Sequence, residues 1–162
     1  YYAVRQLEAL GLKTYISLRD DQKKDTEYDY IIDGPKDMGP ITGLLAAFET
    51  YMGAWLCMGC DYPLIEHSHL SKLIQERDRS KCATVFQDKR TKFLIPTLCI
   101  YEAEFFGLIK ENIEKDQFSL QRILIENKCK IVPVEGEAYN SVDTIQEYDR
   151  IRRKLSISKG NC

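Results

Sequence analysis

Apolar residues recur along the chain with two alternating spacings, one typical of strands and the other typical of helices. Compact apolar runs predict strands at 14–19, 30–33, 54–60, 82–86, 93–101 and 131–134. Apolar residues three or four positions apart predict helices at 1–10, 41–52, 67–79, 102–116, 119–127 and 144–155. Such an alternation of strands and helices is typical of an α/β domain with a mostly parallel sheet.

Local signals refine the ends of these elements. Ser119 is placed to cap the helix that follows it, and Thr144 and Glu147 have the spacing of a capping box. The glycines and prolines of residues 34–40 predict a loop. Pro96 lies inside a predicted strand. Because proline has no N–H to donate, we expect either a bulge or an edge strand there.

The composition is that of a globular protein. The chain has 162 residues, of which 44% are hydrophobic and 30% charged, so it has room for one domain and not for two. We assign residues 1–155 to a single domain and 156–162 to a tail. The formal net charge of −2 gives no indication of binding to nucleic acid or to a membrane surface. No apolar run approaches the roughly 20 residues that a membrane span requires.

Cysteines allow two interpretations. Without a recognisable secretory signal, the six cysteines are expected to be reduced, which favours a cytoplasmic location. Cys57-x-x-Cys60 followed by His67-x-His69 could be written as a zinc site. Residues three apart on a strand point to opposite faces, however, so a strand at 54–60 would prevent the two cysteines from binding one ion. We therefore expect these thiols to be free of metal.

Two aspartates lie where predicted strands end. Asp33 follows the strand at 30–33, and Asp61 follows the strand at 54–60. Ligands of open α/β sheets bind beyond the carboxyl ends of the strands. These ends would lie about 5 Å apart on neighbouring strands and about 10 Å apart with one strand between them. Both carboxylates could then face a nucleotide-sized ligand, and Asp61 would suit Mg²⁺, which takes one or two carboxylates together with substrate phosphates.

A glycine-containing turn opens the helix predicted at 41–52. Residues 39–47 read GPITGLLAA, and the exposed amides at the start of such a helix favour an anion or a hydrogen-bond acceptor. No Gly-Lys-Ser/Thr sequence follows, so the segment is not a Walker loop. A closely packed helix start would explain the glycines equally well.

Taken together, these segments resemble a known family. Ile32-Asp33, residues 39–47 and residues 55–63, in this order and spacing, are similar to the molybdenum cofactor guanylyltransferase family. Residues 96–101 (PTLCIY) resemble the family's Pro-Leu-x-x-x-Tyr strand, and residues 141–147 (SVDTIQE) resemble its Asn-x-Asn-Thr-Pro-Glu-Glu element. The resemblance covers nearly the whole chain.

The resemblance implies both a fold and an activity. The fold would be a Rossmann-like, three-layer nucleotidyltransferase domain, and the reaction would join GMP from GTP to molybdopterin and release pyrophosphate. Asp61 would be the catalytic Mg²⁺ ligand. Asp33 would contact the nucleotide, where a carboxylate can accept from both N1–H and N2–H of guanine. The amides near Gly39 and Pro40 would line the base or the ribose.

The start of the family pattern has no counterpart here. Its first motif, a glycine-rich loop whose Arg and Lys hold the triphosphate, belongs ahead of Tyr1, so we expect the domain to be N-terminally incomplete. Two strands would then lack their common neighbour, and such a chain is expected to be poorly soluble and to bind GTP weakly. A nucleotide contact from the strand at 14–19 would fall on Ser17 or Arg19.

Residues 141–147 depart from the family pattern, and this departure leaves other functions possible. Ser141 and Asp143 stand where the family often has Asn, and Asp143 could support a second metal. A cytidylyltransferase or a sugar-type nucleotidyltransferase is therefore an alternative within the enzyme class. A domain that binds nucleotide without catalysis is the alternative outside it. The sequence leaves the oligomeric state open.

Overall fold

The computed structural model describes residues 2–22, 26–34 and 38–151, and strands and helices alternate along them. The strands are β1 (Ile16–Leu18), β2 (Tyr30–Ile32), β3 (Trp55–Met58), β4 (Ala83–Asp88), β5 (Leu94–Tyr101) and β6 (Lys130–Val134). The helices are α1 (Tyr2–Glu8), α2 (Pro40–Thr50), α3 (His67–Gln75), α4 (Phe105–Glu114) and α5 (Leu120–Glu126). Residues 145–151 are also helical. Each predicted element is present, most with shorter ends, while the predicted end of the last helix and the tail at 156–162 lie outside the described residues.

The strands form two sheets. β1 and β2 pair in parallel, and the larger sheet has the order β3-β5-β4-β6. In the larger sheet β5 is antiparallel to both β3 and β4, and β6 is parallel to β4. Consequently β3, β4 and β6 point the same way and only β5 opposes them. The α/β class is thus confirmed, with one antiparallel strand among strands that otherwise share a direction.

Alternating side chains of β5 pack into two separate cores. Cys99 and Tyr101 pack on one face of the sheet, in the cluster to which α2, α4 and α5 contribute. Leu98 and Ile100 pack on the other face, in the cluster to which α1 and α3 contribute. A strand with apolar residues on both faces is buried between two helical layers. This arrangement confirms the expected three layers.

Pro96 lies in a bulge, as one of the two interpretations predicted. The register of β4 against β5 shifts between Val85, which pairs with Cys99, and Gln87, which pairs with Leu94. The edge-strand interpretation is wrong, because β5 has a neighbour on both sides. The interruption of the ladder allows a residue without an N–H to lie inside the sheet. Its carbonyl is still used, since the Tyr101 hydroxyl donates to the Pro96 oxygen over 2.8 Å.

A cleft separates the two sheets. It has a volume of about 440 Å³ and is lined by Thr14 and Tyr15 ahead of β1 and by Ala54, Trp55 and Leu56 around the start of β3. Tyr15 and Trp55 meet edge to face across it, with ring centroids 5.7 Å apart. No strand pairing among the described residues joins β1 to β3.

The end of α3 is joined to the end of β5 by an ion pair. Arg77 donates from Nε to Glu102 Oε1 over 2.6 Å and from a terminal nitrogen to Oε2 over 2.7 Å. The side chains are 26% and 8% exposed, respectively. A two-point contact of a guanidinium with a carboxylate is a strong hydrogen-bonding geometry. The hydrogen bonds to Glu102 raise the pKa of Arg77.

The charge of Glu102 is therefore expected to matter for stability. Glu102→Gln should lower the free energy of unfolding by about 1.5–3 kcal/mol, the usual contribution of a hydrogen bond to a charged group. Glu126→Gln is the matched control, because its 2.7 Å pair with Arg122 lies on the surface and should contribute about 0.5 kcal/mol or less. Urea unfolding followed by circular dichroism measures both. Equal effects of the two variants would show that the Arg77 pair is no stronger than a surface pair.

Candidate functional site

Three segments converge at Asp33. The Asp33 amide donates to the Leu18 carbonyl over 2.8 Å, which continues the parallel pairing of β1 with β2 beyond the last strand residue. The Ser17 hydroxyl donates to Asp33 Oδ1. A Cβ added at Gly43, in the first turns of α2, would lie 3.1 Å from Asp33 Oδ1 and would overlap the Ser17 hydroxyl. Ser17, Asp33 and Gly43 therefore form one contact group, which we call the Asp33 group.

The start of α2 needs its glycine for backbone conformation. Gly39 precedes the helix with φ of +74°, a left-handed conformation that favours glycine. Pro40 is the first helical residue, where its missing N–H costs nothing. The Thr42 amide donates to the Gly39 carbonyl over 3.0 Å. The two predicted binding residues thus open the helix whose next turn contacts Asp33.

Ser17 and Arg19 differ in what they contact. Ser17 bonds directly to Asp33, as described above. The Arg19 side chain instead approaches Asp21, with 3.3 Å between Nε and Oδ1, and both side chains are exposed. Sequence reasoning named Ser17 as a possible nucleotide contact and missed that it bonds to Asp33. The binding role of Arg19 stays a prediction.

A second group forms around Asp61, in the turn that follows β3. The Val142 amide donates to the Asp61 carbonyl over 2.9 Å, which brings the segment carrying Asp143 beside Asp61. On the other side the Gly59 amide donates to the Thr97 carbonyl over 2.8 Å and fixes the turn to β5. Asp61 and Asp143, together with Val142, Gly59 and Thr97, form what we call the Asp61 group.

The electrostatics of the Asp61 group favour a cation. Burial raises the pKa of the Asp61 carboxyl, and the nearby negative charge of Asp143 raises it further. Ser141 donates to Asp143 Oδ2 over 3.2 Å, which orients that second carboxylate. The described residues contain no group of three or more His, Cys, Asp or Glu side chains that could hold a metal by themselves. Two neighbouring carboxylates nevertheless fit Mg²⁺, whose remaining ligands are usually waters and substrate phosphates.

The Asp33 and Asp61 groups are separate units. No hydrogen bond or ion pair between described residues links Asp33 to Asp61. Each aspartate follows a strand, and each is held by backbone hydrogen bonds to a neighbouring strand or loop. The sequence thus identified both positions, while the partners of each carboxylate come from distant parts of the chain.

The residues that could be written as a zinc site, Cys57, Cys60, His67 and His69, lie in a backbone that differs from the predicted one. β3 ends at Met58, so the predicted strand at 54–60 is too long and Cys60 lies in the exposed turn beyond it. The two histidines start α3, as expected for a surface helix. His69 Nδ1 accepts from the Glu66 amide over 3.0 Å in a capping box, which occupies that ring nitrogen.

The two thiols should therefore differ in reactivity. Burial raises the pKa of Cys57 to about 11, so very little of the reactive thiolate is present at neutral pH. Cys60 is exposed. We expect iodoacetamide to modify Cys60 much faster than Cys57, as measured by peptide mass spectrometry in the native protein. Elemental analysis should find no zinc, and about one zinc per chain would contradict the assignment of both residues.

The fold defines a class of protein. The structure of molybdopterin-guanine dinucleotide biosynthesis protein A from Archaeoglobus fulgidus superposes with a TM-score of 0.77 at 19% identity, over 96% of this chain and 85% of that one. A 4-diphosphocytidyl-2C-methyl-D-erythritol synthase from Anaerococcus prevotii gives a TM-score of 0.70 at 9% identity, over 96% of this chain and 87% of that one. The chain thus has the α/β fold of these nucleotidyltransferase-type structures.

The sequence comparison identifies the family within that class. Residues 1–130 match the MobA-like NTP transferase domain, and the chain belongs to this family. A curated relative, the probable molybdenum cofactor guanylyltransferase of Flavobacterium johnsoniae, is 29% identical over 133 residues, which cover 77% of this chain and 68% of that protein. The expected family is thereby confirmed. No helix among the described residues is both long enough and apolar enough to span a membrane.

Proposed function

We propose that the protein is a Mg²⁺-dependent nucleotidyltransferase that joins GMP from GTP to molybdopterin and releases pyrophosphate. The observation that carries the proposal is the pair of carboxylates formed by Asp61, in the turn after β3, and Asp143, which the backbone hydrogen bond from Val142 to Asp61 brings beside it. The relative from Flavobacterium johnsoniae, whose name specifies a molybdenum cofactor guanylyltransferase, supports the choice of substrates.

The proposed reaction is a displacement at phosphorus. An oxygen of the terminal phosphate of molybdopterin forms a bond to the α-phosphorus of GTP, and the bond from that phosphorus to the bridging oxygen of the β-phosphate breaks. Pyrophosphate leaves with the electron pair of that bond. Such transfers depend mainly on positioning and on neutralising charge, with little covalent chemistry for the protein to perform.

The Asp61 group is the proposed metal site. Asp61 would bind Mg²⁺, and Asp143 is the candidate for a second carboxylate ligand. When bound, the ion would neutralise negative charge on the reacting phosphates. The raised pKa of Asp61 matters here, because only the ionised carboxylate binds a cation. As the pH falls through this pKa, metal affinity should therefore be lost at a higher pH than for an ordinary aspartate.

The Asp33 group is the proposed nucleotide site. The Asp33 carboxylate would accept from the N1–H and N2–H groups of guanine, and the helix start at Gly39 and Pro40 would line the base or the ribose. Cytosine offers no matching pair of donors. The N-terminal end of α2 also favours the negative charge of the Asp33 carboxylate beside it. This group therefore supports GTP as the nucleotide, and Arg19 remains a candidate for a further contact.

A cytidylyltransferase is the second candidate function. Asp143 stands where the molybdenum cofactor family often has Asn, and it lies close enough to Asp61 to raise the pKa of that carboxyl. A second acidic ligand would serve a nucleotidyltransferase with another acceptor equally well. The nucleotide preference of the protein distinguishes the two candidates.

Removing the charge of Asp61 should abolish metal-dependent turnover. In Asp61→Asn the backbone carbonyl that holds Val142 remains, so the fold should persist. Loss of a metal ligand should cost several kcal/mol of transition-state stabilisation, or more than about a hundredfold in rate. Release of pyrophosphate from GTP in the presence of molybdopterin measures this.

A surface aspartate provides the control for that variant. Asp116 is exposed after α4 with φ of +54°, a conformation that asparagine also tolerates, so Asp116→Asn should turn over normally. Near-normal turnover of Asp61→Asn would refute the metal assignment. Thermal unfolding of both variants without metal checks that each is folded.

Changing Asp33 should affect the two nucleotides unequally. Asp33→Asn removes one acceptor oxygen, so it should weaken GTP by about 1.5–3 kcal/mol, or roughly 10- to 150-fold in Kd. CTP binding should change little. Calorimetric titration with each nucleotide decides the matter, and equal losses would assign Asp33 to the ribose or the metal.

A further inference from the structure

We propose that Ser17 is a positioning residue that sets the preference for guanine by fixing the orientation of the Asp33 carboxylate. Ser17 itself need not touch the nucleotide. The inference rests on the proposed role of Asp33 as the acceptor for the base. It adds a residue from β1 to a site otherwise built from the loop after β2 and the start of α2.

With its backbone fixed, the Asp33 side chain can still rotate, and the contact with Ser17 restrains the outer torsion that sets the plane of the carboxylate. The hydrogen bond from the Asp33 amide to Leu18 fixes the main chain at the end of the strand. The outer torsion of an aspartate side chain is broad, so the plane of its carboxylate is otherwise loosely defined. A hydrogen bond from the Ser17 hydroxyl to Oδ1 defines that plane. Charge-assisted hydrogen bonds of this kind are stronger than those between neutral groups.

Gly43 provides the space for this contact. A Cβ at position 43 would overlap the Ser17 hydroxyl and approach Asp33 Oδ1 to 3.1 Å. Glycine inside a helix is less favourable than alanine by about 1 kcal/mol, so helix stability alone does not explain its presence. Gly107 in α4 is different, because a Cβ there would meet nothing within 4 Å. The close approach of α2 to the Ser17–Asp33 pair thus accounts for glycine at position 43.

A fixed carboxylate plane matters more for two donors than for one. Guanine presents N1–H and N2–H side by side, and both bonds form only when the two oxygens lie in the plane of the base. Each carboxylate oxygen has two lone pairs, so Oδ1 can accept from Ser17 and from the base together. Hypoxanthine, the base of ITP, lacks the 2-amino group and presents only N1–H. Loss of the Ser17 contact should therefore weaken GTP more than ITP.

The first test removes the hydroxyl. In Ser17→Ala, we expect the Kd for GTP to rise by about 10- to 150-fold, the range of one hydrogen bond to a charged group. The Kd for ITP should rise by no more than about twofold, since a single donor can follow a rotated carboxylate. The change should be larger in the KM for GTP than in kcat, because the Asp61 group is not altered. Ser17→Thr retains the hydroxyl and should restore the preference.

The second test breaks the contact without changing either partner. Gly43→Ala should displace the Ser17 hydroxyl and reduce the GTP-to-ITP preference as Ser17→Ala does, while its helix is stabilised. Gly107→Ala is the matched control, which should leave nucleotide binding unchanged. In the Asp33→Asn background, Ser17→Ala should have no further effect on the GTP-to-ITP ratio, because the two residues act through one contact.

The outcomes separate this inference from the proposed function. If Ser17→Ala weakens the binding of GTP and ITP equally, its role is merely structural and the inference alone is overturned. The same holds if Ser17→Ala lowers the GTP-to-ITP preference as much in the Asp33→Asn background as in the unaltered protein. If the unaltered protein binds GTP no better than ITP and CTP, both the inference and the assignment of Asp33 to guanine are wrong. Circular dichroism of each variant establishes that altered binding does not reflect unfolding.

Discussion

The pairing of β5 with strands on both of its sides is the constraint on which the rest of the structure depends. β5 is antiparallel to both neighbours and supplies alternate side chains to the two cores. It also extends beyond the end of β3, where Thr97 accepts from Gly59 and its hydroxyl lies 3.1 Å from the Tyr62 hydroxyl. The turn that carries Asp61 is therefore anchored to the most deeply buried strand of the sheet. The bulge at Pro96 lies directly ahead of this anchor, so the distortion that accommodates proline adjoins the candidate site.

The two candidate groups follow a common plan. Each places an aspartate just beyond a strand, and each uses a backbone hydrogen bond from a separate segment to fix the chain there. Asp33 is held through Leu18, and Asp61 is joined to the later segment through Val142. Because the backbone is fixed at both aspartates, the carboxylates are presented at defined positions for a ligand. A site of this kind is assembled before a ligand arrives, which reduces the entropy lost on binding.

Glu102 and Asp61 are two carboxylates that differ in whether a cation within the protein compensates their negative charge. Glu102 is satisfied by Arg77 in a two-point ion pair, so its charge is neutralised within the protein. Asp61 has no cation partner among the described residues, and its pKa is raised by burial and, to a smaller extent, by the neighbouring Asp143. A carboxyl whose pKa is raised by burial and by a like-charged neighbour is a candidate for a functional site. The comparison explains why Asp61, rather than the more deeply buried Glu102, is the candidate metal ligand.

The sequence by itself determined the order and type of the strands and helices and the positions of Asp33 and Asp61. It also determined the caps at Ser119 and Thr144, whose side-chain oxygens accept from the amides of Arg122 and Glu147, respectively. These features depend on residues close together in the chain, whose spacing and hydrogen-bonding groups act locally. Only the tertiary structure decided that β5 lies inside the sheet and opposes its neighbours, because an apolar run has the same pattern in either direction. It also decided that Ser17 bonds to Asp33 and that Asp143 lies beside Asp61. Those contacts join residues 16 and 82 positions apart, and such contacts form only when the packing of the whole sheet brings their strands and loops together.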